Sequence, residues 1–229
     1  TPFSGLTSFK FIPKDLLIDN NSSINTDIMN FLSIDCSTDI GSLFVKTKNK
    51  TFSQLLQSDK LSNDLLMKQI LDFFKENNIK FGDISDIFVN QGPGNFSGLR
   101  GSLATAKGIG LAKNLNLFGY NTFIWSCANF FNKEESIFSL IKFRKKYFIK
   151  KFDKNLNSAS KPKEVNVDEI IKKCDNKFNV IPKNMIKDFD KKILKLSNLN
   201  IVDLDHNKLE FLQLKGLLDK ELIKPLYLS

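Results

Sequence analysis

A chain of 229 residues with 41% hydrophobic side chains can bury a core as one large domain or two lobes, and this composition excludes a generally disordered protein. No apolar run reaches the roughly 18 residues of a membrane span, which points to a soluble, cytoplasmic protein. A net charge of +9 fits either a nucleic-acid partner or a low-GC coding bias that enriches Lys, Asn, Ile and Phe together; the dispersed lysines favour the second.

In chain order, residues 1–28 are rich in Ser, Asn and Asp and read as an extension ahead of the first apolar strand, Phe31 to Asp35. That strand ends in a carboxylate. Asp35-Cys36-Ser37-Thr38 turns the chain, and Gly41 opens a second strand to Thr47. In this turn Asp35, Ser37 and Thr38 either face a phosphate or simply cap the backbone. Residues 62–78 form a helix whose apolar face holds Leu65, Leu66, Gln69, Ile70, Phe73 and Phe74.

The organising stretch follows. Asp86 to Asn90 reads as a buried strand, and Gly92, Pro93 and Gly94 break it. Ser97 is positioned to cap a helix. Strand, glycine-rich loop and helix start aim backbone N–H groups at one point, which suits an anion. The spacing of Gly92, Gly94 and Gly98 is nevertheless neither the dinucleotide fingerprint nor a Walker A loop, so a ligand-free tight turn is the competing reading. The helix itself contains Gly101, Gly108 and Gly110, each costing about 1 kcal/mol against Ala. Gly101, Ala104, Thr105, Gly108 and Ala112 recur at spacings of three and four and make a small-residue strip. Close packing on the chain's own sheet, or on a helix of a partner, offsets that cost.

Phe118 to Tyr120 is a further strand, and Asn121 or Thr122 caps a helix to Phe131. The switch near Asn132 to Glu135 divides residues 29–133 from 134–229 as two lobes. In the second part Ser136–Phe143 and Lys145–Phe152 read as paired strands, with Arg144, Lys145, Lys146, Tyr147 and Phe148 as either an RNA-facing basic-aromatic set or a solvated hairpin. Residues 155–162 read as loop, 168–173 as a short helix and 208–222 as a longer one. Cys36, Cys127 and Cys174 have no metal-binding spacing and read as reduced structural thiols. The lone His206 reads as a surface residue. One histidine also leaves no His-based metal or nucleophile motif, so no catalytic residue, metal ligand or cofactor is assigned.

The run Gly92-Pro93-Gly94-Asn95-Phe96-Ser97-Gly98-Leu99-Arg100 resembles the GPGSFTGxR signature of the TsaB (YeaZ) family. Residues 31–38 resemble that family's opening strand and D-T-S/A-T turn, and Pro225-Leu226-Tyr227-Leu228 its closing P-x-Y-L. The resemblance implies an α/β, two-lobed actin-like ATPase (ASKHA) fold with mixed sheets flanked by helices. It implies a non-catalytic scaffold, an inactive paralogue that pairs with TsaD in making threonylcarbamoyladenosine beside the tRNA anticodon. A TsaE-like ATPase, tRNA held through the complex and a possible homodimer are the further partners. The family's partner surface maps onto Leu66, Ile70, Phe73 and Phe74 with Gly101, Ala104, Thr105, Gly108 and Ala112. The family's D-A-R-x-x-E-x-Y segment is represented only by Arg144 and Tyr147, without its acidic positions. The alternatives are a nucleotide-dependent, kinase-like enzyme built on Asp35, Ser37 and the glycine loop, a peptidase, and an RNA-binding module.

Overall fold

The computed structural model describes residues 29–56, 63–220 and 223–228, with α1 side chains from Leu65 onward. The expectations for residues 1–28, for the helix start at Ser62 and for residues 221–222 lie outside the described residues.

Two five-stranded mixed sheets carry the fold. In the first, β1 (Phe31–Asp35), β2 (Gly41–Lys46) and β3 (Thr51–Leu56) form an antiparallel meander. On the other side of β1 lie β4 (Asp86–Asn90) and β5 (Asn116–Tyr120), both parallel to it, giving the order β3-β2-β1-β4-β5. The second sheet repeats this plan. Its meander is β6 (Ser136–Phe143), β7 (Lys146–Asp153) and β8 (Lys163–Val165), with β9 (Phe178–Pro182) and β10 (Leu199–Val202) parallel to β6. The order β10-β9-β6-β7-β8 is the first sheet's order read from the other end. Two sheets of the same topology in one chain are the hallmark of the two-lobed actin-like ATPase fold.

Alternation along the strands assigns the two faces of the first sheet. Leu32, Ile34, Ile87 and Val89 pack with α1 (Asn63–Glu76) and α2 (Phe96–Lys113). Phe31, Phe88, Phe118 and Tyr120 point the other way, into a core shared with α3 (Thr122–Cys127), the second sheet and α5 (Asn207–Leu214). Being buried on both faces, β1 and β4 read as unbroken apolar runs. In the second lobe α4 (Val167–Cys174) opens with a capping box between Asn166 and Glu169.

Several boundaries move. The cap of α2 is Asn95, whose side chain accepts from the Ser97 amide, rather than Ser97. The final helix stops at Leu214, not 222, because Gly216 turns the chain with φ +70°. Strands β3, β8, β9 and β10 are additional. Among the described residues no helix is long and apolar enough to cross a membrane. All three cysteines are buried and unpaired, and burial pushes the Cys127 thiol up to about 12 and Cys174 to about 11.

Candidate functional site: the glycine loop, the lobe junction and the outer face of α2

The loop after β4 is shaped by the turn after β1. A Cβ on Gly94 would lie 2.1 Å from the Ser37 carbonyl oxygen, and one on Gly98 2.3 Å from that of Cys36. These glycines are bare because the backbone of Cys36 and Ser37 occupies the space. Three of the loop's amide donors are spent on protein acceptors as well. Asn95 N donates to Ser37 O at 2.8 Å, Gly92 N to Asn90 Oδ1 at 2.8 Å, and Ser97 N to Asn95 Oδ1 at 3.2 Å.

Beneath the loop sits a buried polar cluster that local sequence did not reveal. Asn90 Nδ2 donates to Asp35 Oδ1 (3.1 Å), Ser37 Oγ (3.3 Å) and Thr122 Oγ1 (3.1 Å). Asp35 Oδ1 also takes the Ser37 amide at 2.9 Å, the turn-capping role. Burial pushes the Asp35 carboxyl above its usual range, opposed by the hydrogen bonds from Ser37 and Asn90. Thr38 is half-buried, its hydroxyl donating to Ile40 O at 2.7 Å.

His206 is not the surface residue its polar neighbours suggest. It wedges between the lobes, stacked on Phe44 at 5.0 Å and beside Trp125 at 4.8 Å. Its Nδ1 meets Ser33 Oγ at 2.9 Å and its Nε2 meets Ser42 Oγ at 3.2 Å. Trp125 Nε1 donates to Asp205 O at 2.8 Å, and Lys46 pairs with Glu210, so the junction is tied at three points. Burial lowers the His206 pKa to about 4, with the Asp205 charge opposing. The unfolded chain takes up this proton near pH 6.5, and the folded chain refuses it until about pH 4. Stability should therefore fall as pH drops through that window, by up to about 3 kcal/mol less whatever solvent reaching the half-buried ring restores. Urea denaturation of wild type and His206→Asn isolates this from Asp35, whose raised pKa acts in the opposite sense. The stability difference should shrink from pH 7 to pH 4; parallel profiles would contradict it.

Asp35, Ser37 and His206 line one side of a cleft of about 890 Å³ between the lobes, and Lys142, Arg144 and Asp188 line the other. The fold family implies a nucleotide with a divalent ion here. The residues do not suit one. Three of the loop amides, those of Gly92, Asn95 and Ser97, are committed, the turn backbone fills the surface of Gly94 and Gly98, and the one histidine is held by two serine hydroxyls. The basic-aromatic hairpin is similarly committed. Tyr147 and Phe148 are buried, Tyr147 Oη accepts from Asp190 N at 3.0 Å, and Lys146 pairs with Glu164 at 2.7 Å. That removes the stacking platform expected for RNA, leaving Arg144 and Lys145 exposed at the hairpin tip.

The expected partner surface is corrected in part. Leu66, Ile70, Phe73 and Phe74 are only 2, 0, 3 and 3% exposed. They fill the core beneath α1, because α1 needs one apolar face merely to seat on the sheet and α2. Gly101 is buried too. The outward residues are Ala104, Gly108 and Ala112, with half-buried Thr105 at the edge and Leu111 86% exposed. A Cβ on Gly108 would meet nothing within 4 Å, so among the described residues no contact explains that glycine.

A family model described as TsaD, tRNA N6-adenosine threonylcarbamoyltransferase, matches residues 57–186, more than half of the chain. A curated relative, the tRNA threonylcarbamoyladenosine biosynthesis protein TsaB of Buchnera aphidicola subsp. Baizongia pistaciae (strain Bp), is 34% identical over 86 residues. The chain belongs to the TsaD/TsaB (YeaZ) family. The segment shared with the Buchnera TsaB spans 37% of this chain and 38% of that protein. YeaZ from Pseudomonas aeruginosa superposes with a TM-score of 0.63 at 15% identity, over 88% of this chain and all of that one. A second P. aeruginosa structure, of an uncharacterized protein with similarity to peptidase YeaZ, gives 0.65 with the same identity and coverage. At that identity the likeness speaks for the TsaB/YeaZ fold alone.

The family's closing P-x-Y-L also finds its place. Leu226 N donates to Gln91 O at 2.7 Å and Gln91 Nε2 to Lys224 O at 3.0 Å, so the tail is strapped onto the glycine loop. Tyr227 rests on Phe96, centroids 5.5 Å apart, and Arg100 Nε donates to Tyr227 Oη at 3.0 Å.

Proposed function

We propose that this chain is the TsaB-type, non-catalytic partner of a TsaD enzyme. It would serve tRNA threonylcarbamoyladenosine biosynthesis at the adenosine beside the anticodon, in the cytoplasm. The contact runs through the outer face of α2, and a TsaE-like ATPase and tRNA join through the complex. A second copy of the chain competes for the same face. The division into an extension at 1–28 and lobes at 29–133 and 134–229 belongs to this reading.

The observation that carries it is Gly108. A glycine in the interior of an 18-residue helix gives up about 1 kcal/mol. Here it faces open space between Ala104 and Ala112 with no contact among the described residues, and a partner on this face would supply the offset. Small residues at that spacing let another backbone approach closely. The commitments of Asp35, of the Gly92, Asn95 and Ser97 amides and of His206 support the absence of chemistry on this chain. They weigh against the kinase-like reading even though a cleft exists.

The test is reconstitution of threonylcarbamoyl transfer to tRNA. The chain alone should give none, and adding it to TsaD should raise the rate at least about tenfold, as for an activator that completes its partner's site. Transfer by the chain alone, or an unchanged TsaD rate, would overturn the proposal.

A further inference from the structure

The exposed face of α2 begins with a charged, prebuilt cluster. The Arg100 guanidinium lies 3.8 Å over the Phe96 ring while its Nε is fixed by Tyr227. Both rings are large and open to solvent, Phe96 46% and Tyr227 53% exposed. Among the described residues no carboxylate lies within ion-pair distance of Arg100. The first turn of α2 has no acidic residue, and the exposed Lys107, Lys113 and Lys224 add charge of the same sign. An arginine fork stacked and hydrogen-bonded in place has already lost much of its rotamer freedom, so a carboxylate can bind it with little further ordering.

Arg100, Ala104, Gly108 and Leu111 follow the spacing of a single helical face. That continuity decides between partners. A phosphate backbone would satisfy Arg100 but leave the bare Gly108 and Leu111 uncovered. A protein helix with an acidic side chain at one end and small or apolar residues beyond it covers the whole row.

We propose that Phe96 and Tyr227 hold Arg100 as a fixed receptor for a carboxylate on the partner protein's contacting helix, so that the C-terminal strap, residues 225–228, is part of the docking surface. Tyr227 is here a positioning residue. The proposal rests on the reading that α2 meets TsaD, and its test separates the two. Binding of the purified chain to purified TsaD is measured for wild type, Arg100→Glu, Arg100→Lys, Tyr227→Phe and Gly108→Leu, with thermal unfolding as the folding control.

Arg100→Glu should weaken binding about 100-fold and Arg100→Lys about tenfold, because lysine lacks the planar fork. Tyr227→Phe should cost about fivefold, and the salt dependence of wild-type binding should flatten in Arg100→Glu. A charge-reversing substitution on TsaD that restores binding to Arg100→Glu identifies the carboxylate. If Gly108→Leu blocks binding while Arg100→Glu leaves it intact, the carboxylate proposal falls and the α2 reading stands. If neither variant matters, both fall. An unchanged Tyr227→Phe removes the strap from the surface. Loss of tRNA binding by isolated Arg100→Glu, with TsaD binding intact, would make RNA the occupant instead.

Discussion

Gly94→Ala should destabilise the chain by more than about 3 kcal/mol, and Gly98→Ala by a similar amount. The new methyl at position 94 would meet three backbone atoms of Ser37, its O, Cα and C, at 2.1, 2.6 and 2.7 Å. At position 98 it would meet the Cys36 carbonyl oxygen at 2.3 Å. A flexible side chain could swing aside, but backbone cannot do so without moving the whole turn. Moving it breaks the Asn95 N to Ser37 O bond and withdraws the Ser37 amide from Asp35, leaving a buried carboxylate short of a donor. Urea denaturation reads the loss directly. A loop kept glycine-rich only for an anion would lose ligand and not stability, so an alanine variant as stable as wild type would contradict the packing account.

Gly108→Leu should do the reverse: keep or raise stability, and abolish capture of TsaD. Leucine is the better helix former by about 0.8 kcal/mol, and open space surrounds the position. A leucine between Ala104 and Ala112 stands several ångströms proud of a face otherwise low enough for a second helix. Overpacked contacts of that kind cost an interface its fit, and a loss of at least about 100-fold in affinity is expected. The pair of glycines is informative together. Gly94 is required by the chain's own turn, whereas Gly108 is required by no contact among the described residues.

Local pattern revealed the elements whose side-chain periodicity is complete. β1 and β4 showed as apolar runs because both of their faces are buried, and α1 and α4 showed as helices. β9 and β10 did not, being four or five residues long and, in β9, ended by Pro182. β3 alternates only weakly, as expected of an edge strand open on one side. The site was legible as a loop but not as a network. Asn90, Thr122, Ser33 and His206 meet across long sequence separations, 173 residues in the case of Ser33 and His206. Flanked by Asp205 and Asn207, His206 looks solvated until the lobes are folded together. The apolar stripe of α1 likewise showed that the helix buries one face, without showing that its own core is what covers it.

An outer face of α2 made for another protein should hold TsaD in solution. The most direct measurement is the mass, by light scattering after size exclusion, of the species formed when the purified chain is mixed with purified TsaD. A species heavier than either protein for wild type, reduced to two separate components by Gly108→Leu, is the predicted result. Wild-type chain that elutes apart from TsaD, or a Gly108→Leu variant that joins it unimpaired, would contradict the account.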